Sequence, residues 1–368
     1  MAVNRSLISP IQNPQLEKEL RAKLRRHADG AGGMGELEPL AVRIGLMQND
    51  AKPQFVDPQL LIFAADHGLA VDGLAPPSAR SRTTSQLVHQ LLTLQFPVSA
   101  FAQLHGMALS VVDSGIAESV PTQAGLLARK IAHGTRNARV GPAMSVEQAH
   151  AAIRAGMEIV DVLPGNVVAC AGVGTGSHES AALVLSRLAD LSVRGLLHSG
   201  PHMEPERLAH LLVVTQGAQG RHRDVADPVE VLAAFGGYEI AMMVGAMLVA
   251  ASKRHLVMVD GLSACAALMV ASRIAPSVAD YCVFCRSHGH RGLDVALQLF
   301  RATALLELGM ESIDGTGAVL AWPLVKSAAA LLSGVAVDEG GADPTRPSVT
   351  VSGVTVNNVL TKPSPLGG

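Results

Sequence analysis

The chain has 368 residues, of which 48% are hydrophobic and only 16% charged, with a formal net charge of -2 and a mean hydropathy of +0.30. That balance argues against a nucleic-acid binder that neutralises phosphates, and 3% aromatics leaves little material for a base-stacking platform. So apolar a chain needs a large aliphatic core, in one big domain or two ordinary ones.

The first 30 residues carry Glu17, Lys18, Glu19, Arg21, Lys23, Arg25 and Arg26 at helical spacing, which predicts an exposed amphipathic helix. A glycine-rich break, Gly30-Ala-Gly-Gly-Met-Gly35, leads into a second helix over Glu36 to Gln48. Short apolar runs then alternate with helical patterns. Strands are predicted at Leu60–Ala65, Ala108–Val112, Asn166–Cys170, Val193–Leu197, His255–Val259 and Tyr281–Cys285. Because these runs are continuously apolar, they predict a parallel sheet buried on both faces. Each run ends in a short cluster of Asp, Ser, His or Gly. Ligands bind outside the carboxyl ends of such strands, so these endings point to one polar edge.

Four cysteines, Cys170, Cys265, Cys282 and Cys285, read as buried apolar residues, since Cys282-Val-Phe-Cys285 has no second pair at zinc-ribbon spacing. The N-terminus lacks the apolar core of a signal peptide, and Ile240–Ser252 is too short to span a bilayer, so a cytoplasmic protein without a membrane partner is expected.

Gly172-Val-Gly174-Thr-Gly176-Ser177 joins a strand to a helix and fits a mononucleotide phosphate better than a dinucleotide, whose glycine spacing it lacks. Asp314 stands between an apolar run and the helix Ala318 to Leu332, as an N-cap residue or a general base. His288-Gly-His290 has the form of a metal pair, but no further ligands can be named, so a loop pair is the expectation and no metal is assigned. No G-x-S-x-G occurs, which disfavours a serine hydrolase.

Several stretches together resemble the nicotinate-nucleotide:dimethylbenzimidazole phosphoribosyltransferase family. The strongest is Asp227-Pro-Val-Glu-Val-Leu-Ala-Ala-Phe-Gly-Gly-Tyr-Glu-Ile-Ala241, followed by Gly245-Ala-Met-Leu248 and Asp260-Gly261. His133-Gly-Thr-Arg-Asn137, Gly141-Pro-Ala-Met144, Phe63-Ala-Ala-Asp-His-Gly68 and Val111-Val-Asp-Ser-Gly115 also fit. So do Gly35-Glu-Leu-Glu38 with Gln48, and Gly315-Thr-Gly-Ala-Val-Leu-Ala-Trp-Pro-Leu324. The resemblance runs in the same order over roughly residues 32 to 335.

It implies a Rossmann-like, mostly parallel α/β sheet covered by helices on both faces. A large domain over 51–314 would be joined by a smaller helical domain from 1–50 plus 315–368, in a homodimer. The implied activity moves the 5-phosphoribosyl group of nicotinate mononucleotide onto an aromatic base such as dimethylbenzimidazole, with no cofactor and no metal. The family's catalytic glutamate falls on Asp314, which withdraws the carboxylate by ~1.5 Å. Its base-pocket residues fall on Ser78 and Gln86. Its phosphoribosyl contacts fall on Gly174, Thr175, Gly176 and Ser177, and near Ser287 and Gly289. Three polar positions depart from the pattern: Gly172 replaces a glutamate, Leu211 a lysine, and Leu197-His-Ser-Gly-Pro-His-Met203 a glycine-rich segment. His178, Glu179, His198 and His202 are candidate replacements for the lost charges. A second reading stays open, a catalytically impaired nucleotide-binding paralogue that partners an active homologue.

Overall fold

Runs of aliphatic residues with no polar interruption form strands that are buried along their whole length. The computed structural model describes residues 8–74, 82–197 and 203–334. Its strands are β1 (Gln59–Ala65), β2 (Ala108–Gly115), β3 (Leu126–Ala128), β4 (Val167–Val173), β5 (Leu256–Asp260) and β6 (Cys282–Cys285). All pair in parallel, in the order β3-β2-β1-β4-β5-β6. Every residue of β1, β4, β5 and β6 is buried, as a sheet covered on both faces requires. The expected α/β architecture is therefore the observed one.

The helices are α1 (Pro14–Ala31), α2 (Leu37–Gln48), α3 (Thr84–Leu92), α4 (Pro97–Leu104), α5 (Val146–Val162), α6 (Ser177–Ala189) and α7 (Val193–Leu197). They continue with α8 (Pro205–Arg221), α9 (Pro228–Phe235), α10 (Tyr238–Ser252), α11 (Leu262–Ile274), α12 (Arg291–Leu299) and α13 (Thr316–Ser333). Local sequence sets several starts. Thr83 and Ser145 close capping boxes with Gln86 and Gln148, and Asp227 accepts from Val229 N and Glu230 N ahead of Pro228. Helices α5 and α10 pack backbone to backbone. A Cβ on Gly156 would stand 1.9 Å from the Met242 carbonyl oxygen, and one on Gly245 equally close to that of Ile153.

Two expectations need correction. Val193–Leu197 is the short helix α7: its apolar, buried residues are Val193, Leu196 and Leu197, spaced i, i+3 and i+4 as on one helix face, while Arg194 and Gly195 are exposed. Conversely, β3 went unread; it is three residues long and partly exposed. Helix α1 buries Leu16, Leu20 and Leu24, so its apolar stripe faces protein while its charges face out. Helix α13 has the length and apolarity to cross a membrane, with a mean hydropathy of 1.3 over 18 residues, but 56% of it is buried inside the protein. It packs on α2, α4, β5 and β6 as a core helix.

The chain direction across the sheet reverses between β1 and β4, which places a crevice at their carboxyl ends. His67, Ser177, Asp260 and Asp314 stand at, follow or face the carboxyl ends of the sheet's strands.

Candidate active site

Past β1 the chain reaches Asp66 and His67, and past β4 the loop Gly174–Gly176. A Cβ on Gly174 would stand 1.6 Å from the Ala65 carbonyl oxygen, so only glycine lets the two strand ends close together. His67 N donates to Thr175 O at 3.2 Å. The His67 ring is sealed inside, with Nε2 2.8 Å from Glu239 Oε1 at the start of α10. Ser177 Oγ donates to the same carboxylate oxygen at 2.9 Å and lies 2.8 Å from Ser263 Oγ. Burial alone would lower the His67 pKa, but the Glu239 carboxylate outweighs it and holds the imidazole above its usual value. Thr135, from the His-Gly-Thr-Arg-Asn stretch, closes the β1 side by donating to Asp66 O at 3.0 Å and accepting from Gly68 N at 3.2 Å.

The second half of the edge lies beyond β5 and β6. Asp260 ends β5 fully buried, and its Oδ2 accepts from Ser287 Oγ at 2.7 Å, Gly315 N at 3.0 Å and Ala318 N at 2.9 Å. Ser287 Oγ also accepts from Gly317 N at 2.8 Å. These bonds pin the first turn of α13, and Asp314 just ahead of it, against the ends of β5 and β6. Gly261, at φ +94°, leaves the space Asp314 needs; a Cβ there would stand 2.0 Å from Asp314 Oδ2.

Asp314 is 4% exposed and looks onto imidazoles. His288 Nε2 lies 3.0 Å from Oδ1 and His178 Nε2 3.7 Å from Oδ2, yet neither oxygen has an aligned hydrogen bond. His178 sits in the first turn of α6, with ring centres 5.2 Å from both His288 and His290. Burial would raise the Asp314 pKa, but His288 and then His178 hold it below the usual carboxylate range. Burial would lower His288, and the facing Asp314 lifts it above its usual value instead. Asp260 is pushed up to about 6 by burial and by the negative charge of Asp314. His290 is driven down to about 2 by burial and its two imidazole neighbours, so it stays neutral.

The residues singled out in the sequence fall in different places. Gly174, Thr175, Gly176 and Ser177 form the β4–α6 corner, with the Ser177 hydroxyl turned inward to Glu239 and Ser263. Ser287 is buried and ties Asp260 to α13, while Gly289 lies beside Glu311, whose Oε1 is 3.1 Å from where its Cβ would be. Gln86 lines a cavity of about 530 Å³ with Ser85, His89, Gln90, Gln95 and Ser119; none of its described lining residues belongs to the Asp314 cluster. Ser78, His198 and His202 lie outside the described residues. His178, carried in the sequence only as a replacement charge, is a direct neighbour of Asp314. Its signal was its place in the first turn after a glycine corner.

A family profile described as phosphoribosyltransferase matches residues 9–341. The chain belongs to this phosphoribosyltransferase family. Among its relatives, the nicotinate-nucleotide–dimethylbenzimidazole phosphoribosyltransferase of Variovorax paradoxus is 40% identical over 325 residues, covering 88% of this chain and 93% of the relative. The enzyme of that name from Cupriavidus taiwanensis is 40% identical over 334 residues, covering 89% and 96%. The crystal structure of the Thermus thermophilus enzyme superposes with a TM-score of 0.78 at 28% identity, covering 87% of this chain and 96% of that one. In this phosphoribosyltransferase Asp314 lies between α12 and the last helix, α13, facing His178 and His288.

Proposed function

We propose that this phosphoribosyltransferase moves the 5-phosphoribosyl group of nicotinate mononucleotide onto a nitrogen of an aromatic base, dimethylbenzimidazole or a related azole. Asp314 takes the proton. The observation that carries the reading is a buried carboxylate whose two oxygens face imidazoles without an aligned hydrogen bond at the mouth of a parallel sheet, in a chain 40% identical to enzymes named for that reaction.

The glycosidic bond breaks with its electron pair returning to the cationic nicotinate ring, which leaves neutral. The azole nitrogen forms the new bond to the sugar carbon, and the azole N–H proton passes to Asp314. Held ionised by His288, Asp314 is always in the accepting form near neutral pH. Its side chain is 3% exposed and that of His178 is 35% exposed, so His178 is the route by which the proton reaches water. Rate then comes from fixing both rings around the sugar and from removing one proton. The β4–α6 corner, Gly174 to Ser177, holds the phosphoribosyl group with backbone N–H groups at a helix start. The family resemblance is what supports Ser287 and Gly289 as its far side and Gln86 as a contact of the base.

The same reading makes the protein a cytoplasmic homodimer, with α1, α2 and α13, which pack on one another, as the smaller helical domain split at about residues 50 and 315. Light scattering of the full chain checks the dimer.

Nicotinate release from nicotinate mononucleotide, followed with a panel of azoles, purines and phenols, tests the activity. Asp314→Ala should slow release by about 10²–10⁴-fold, the range for losing a general base. No acceptor supporting release above the Asp314→Ala control would overturn the reading. Nucleotide binding in calorimetry without turnover would then identify a binding subunit.

A further inference from the structure

Two histidines from distant parts of the chain meet one buried carboxylate. His178 opens α6, His288 follows β6, and Asp314 precedes α13. One donor atom from each lies within 4.8 Å of the others. Zinc held tetrahedrally at ~2.1 Å sets its donor atoms about 3.4 Å apart. His288 Nε2 stands 3.0 Å from Asp314 Oδ1 and His178 Nε2 3.7 Å from Oδ2, so with one carboxylate oxygen as ligand the three donor atoms need to shift from within 4.8 Å to that spacing. The remaining adjustment falls to His178, the most exposed of the three side chains at 35%.

The carboxylate also lacks what a buried acid normally has. Both Asp314 oxygens are buried without an aligned hydrogen bond, and Asp260, pressed close behind, adds a second negative group with its Oδ1 unpartnered. Buried polar groups are almost always satisfied, and a cation would engage these. Two imidazoles with one carboxylate suit zinc-like ions, whereas magnesium and calcium want oxygen donors. His290 is not a ligand. Its Cε1–Nδ1 edge packs on Gly292, and it serves as a neutral wall of the pocket.

We propose that His178, His288 and Asp314 bind one divalent transition-metal ion of the zinc class, with water as the fourth ligand. The transfer itself needs no such ion. On the reading of Asp314 as the base, the metal takes the electron pair that would accept the azole proton, so a loaded enzyme is a restrained one. The site thus makes the transferase responsive to free zinc.

The test uses the full-length chain without a polyhistidine tag, stripped with a chelator. Cobalt(II) titration should give the intense visible absorption of a tetrahedral site, saturating at one ion per chain and erased by one equivalent of Zn²⁺. His178→Ala, a partly exposed change, and His288→Ala should each weaken cobalt binding by more than about tenfold. Absorption that stays that of hydrated cobalt, or affinity unchanged in both variants, overturns the metal site even if Asp314→Ala still abolishes transfer. Nicotinate release should fall at least about tenfold in the Zn²⁺-loaded protein, as removing a base requires. Full turnover by a protein with a proven one-to-one ion would overturn the restraint and, with it, Asp314 as base, while the site itself would stand.

Discussion

The edge of the sheet holds two carboxylate–imidazole pairs, and they are built to opposite ends. His67 and Glu239 meet at 2.8 Å with side chains 2% and 0% exposed, and Ser177 adds a hydroxyl to the same oxygen. Asp314 and His288 meet at 3.0 Å without alignment, beside a histidine that reaches solvent. The sealed pair leaves only Glu239 Oε2 unpartnered, away from solvent, and holds the β1, β4 and α10 ends in register. The open pair leaves both Asp314 oxygens unaligned beside a histidine that reaches solvent, which is what the proposed base requires. Burial of charge therefore does not by itself mark a reactive group; the unspent hydrogen-bonding capacity beside an exit to water does.

The comparison breaks if the sealed pair can be lost cheaply. Glu239→Ala should cost about 3–5 kcal/mol in urea unfolding, because it strands a buried imidazole. Asp314→Ala should barely move the unfolding midpoint. Equal destabilisation by the two variants would remove the distinction.

Gly261→Ala sharpens the open side. Its methyl would collide with Asp314 Oδ2 at a backbone angle L-residues avoid, so transfer should drop by about 100-fold through a displaced carboxylate. Retained rate in the steady-state assay would show that Asp314 does not need its present position.

The pH response separates the pairs further. Glu239 raises the His67 pKa above 6.5, so the stability this pair supplies is complete below the unfolded value and is lost as pH rises through the folded one. Urea midpoints measured over about pH 6 to 9 should decline, and Glu239→Gln should flatten that decline. An unchanged slope in the variant would assign the titration elsewhere. The smallest effect is expected at Gln86. Gln86→Ala removes a capping-box partner at a cost of about 1 kcal/mol, and as a base contact it should raise the KM for the acceptor with kcat little changed.

How much of this was legible depends on the range of the interaction. Strands β1, β4, β5 and β6 announced themselves because burial on both faces imposes a local rule on every residue, and β2 followed through its buried second half, residues 111–115. α7 did not, since Val193, Leu196 and Leu197 recur at helical spacing around exposed Arg194 and Gly195, and β3 is too short and too exposed to show the rule. Asp314 stood out through its setting of glycines ahead of an apolar helix. The sequence singles out both His178 and His288 but not their meeting with Asp314, because His178 comes from a different strand–helix corner and only the fold sets it beside Asp314. The pair His288-Gly-His290 reads as loop histidines because spacing alone names no further ligand; the fold turns His288 to Asp314 and packs His290 on Gly292.

Asp260 receives Ser287 and the backbone N–H groups of Gly315 and Ala318 on a single oxygen, which makes one residue the anchor of the whole first turn of α13. The consequence concerns the order in which the molecule comes into being. Domains are built from the N-terminus as synthesis proceeds, and the sheet strands, the glycine corner and His178 all precede the segment bearing Asp314. The proposed base is therefore the last part of the site to be synthesised, and its placement waits on the docking of the final helix against Asp260 at the end of β5.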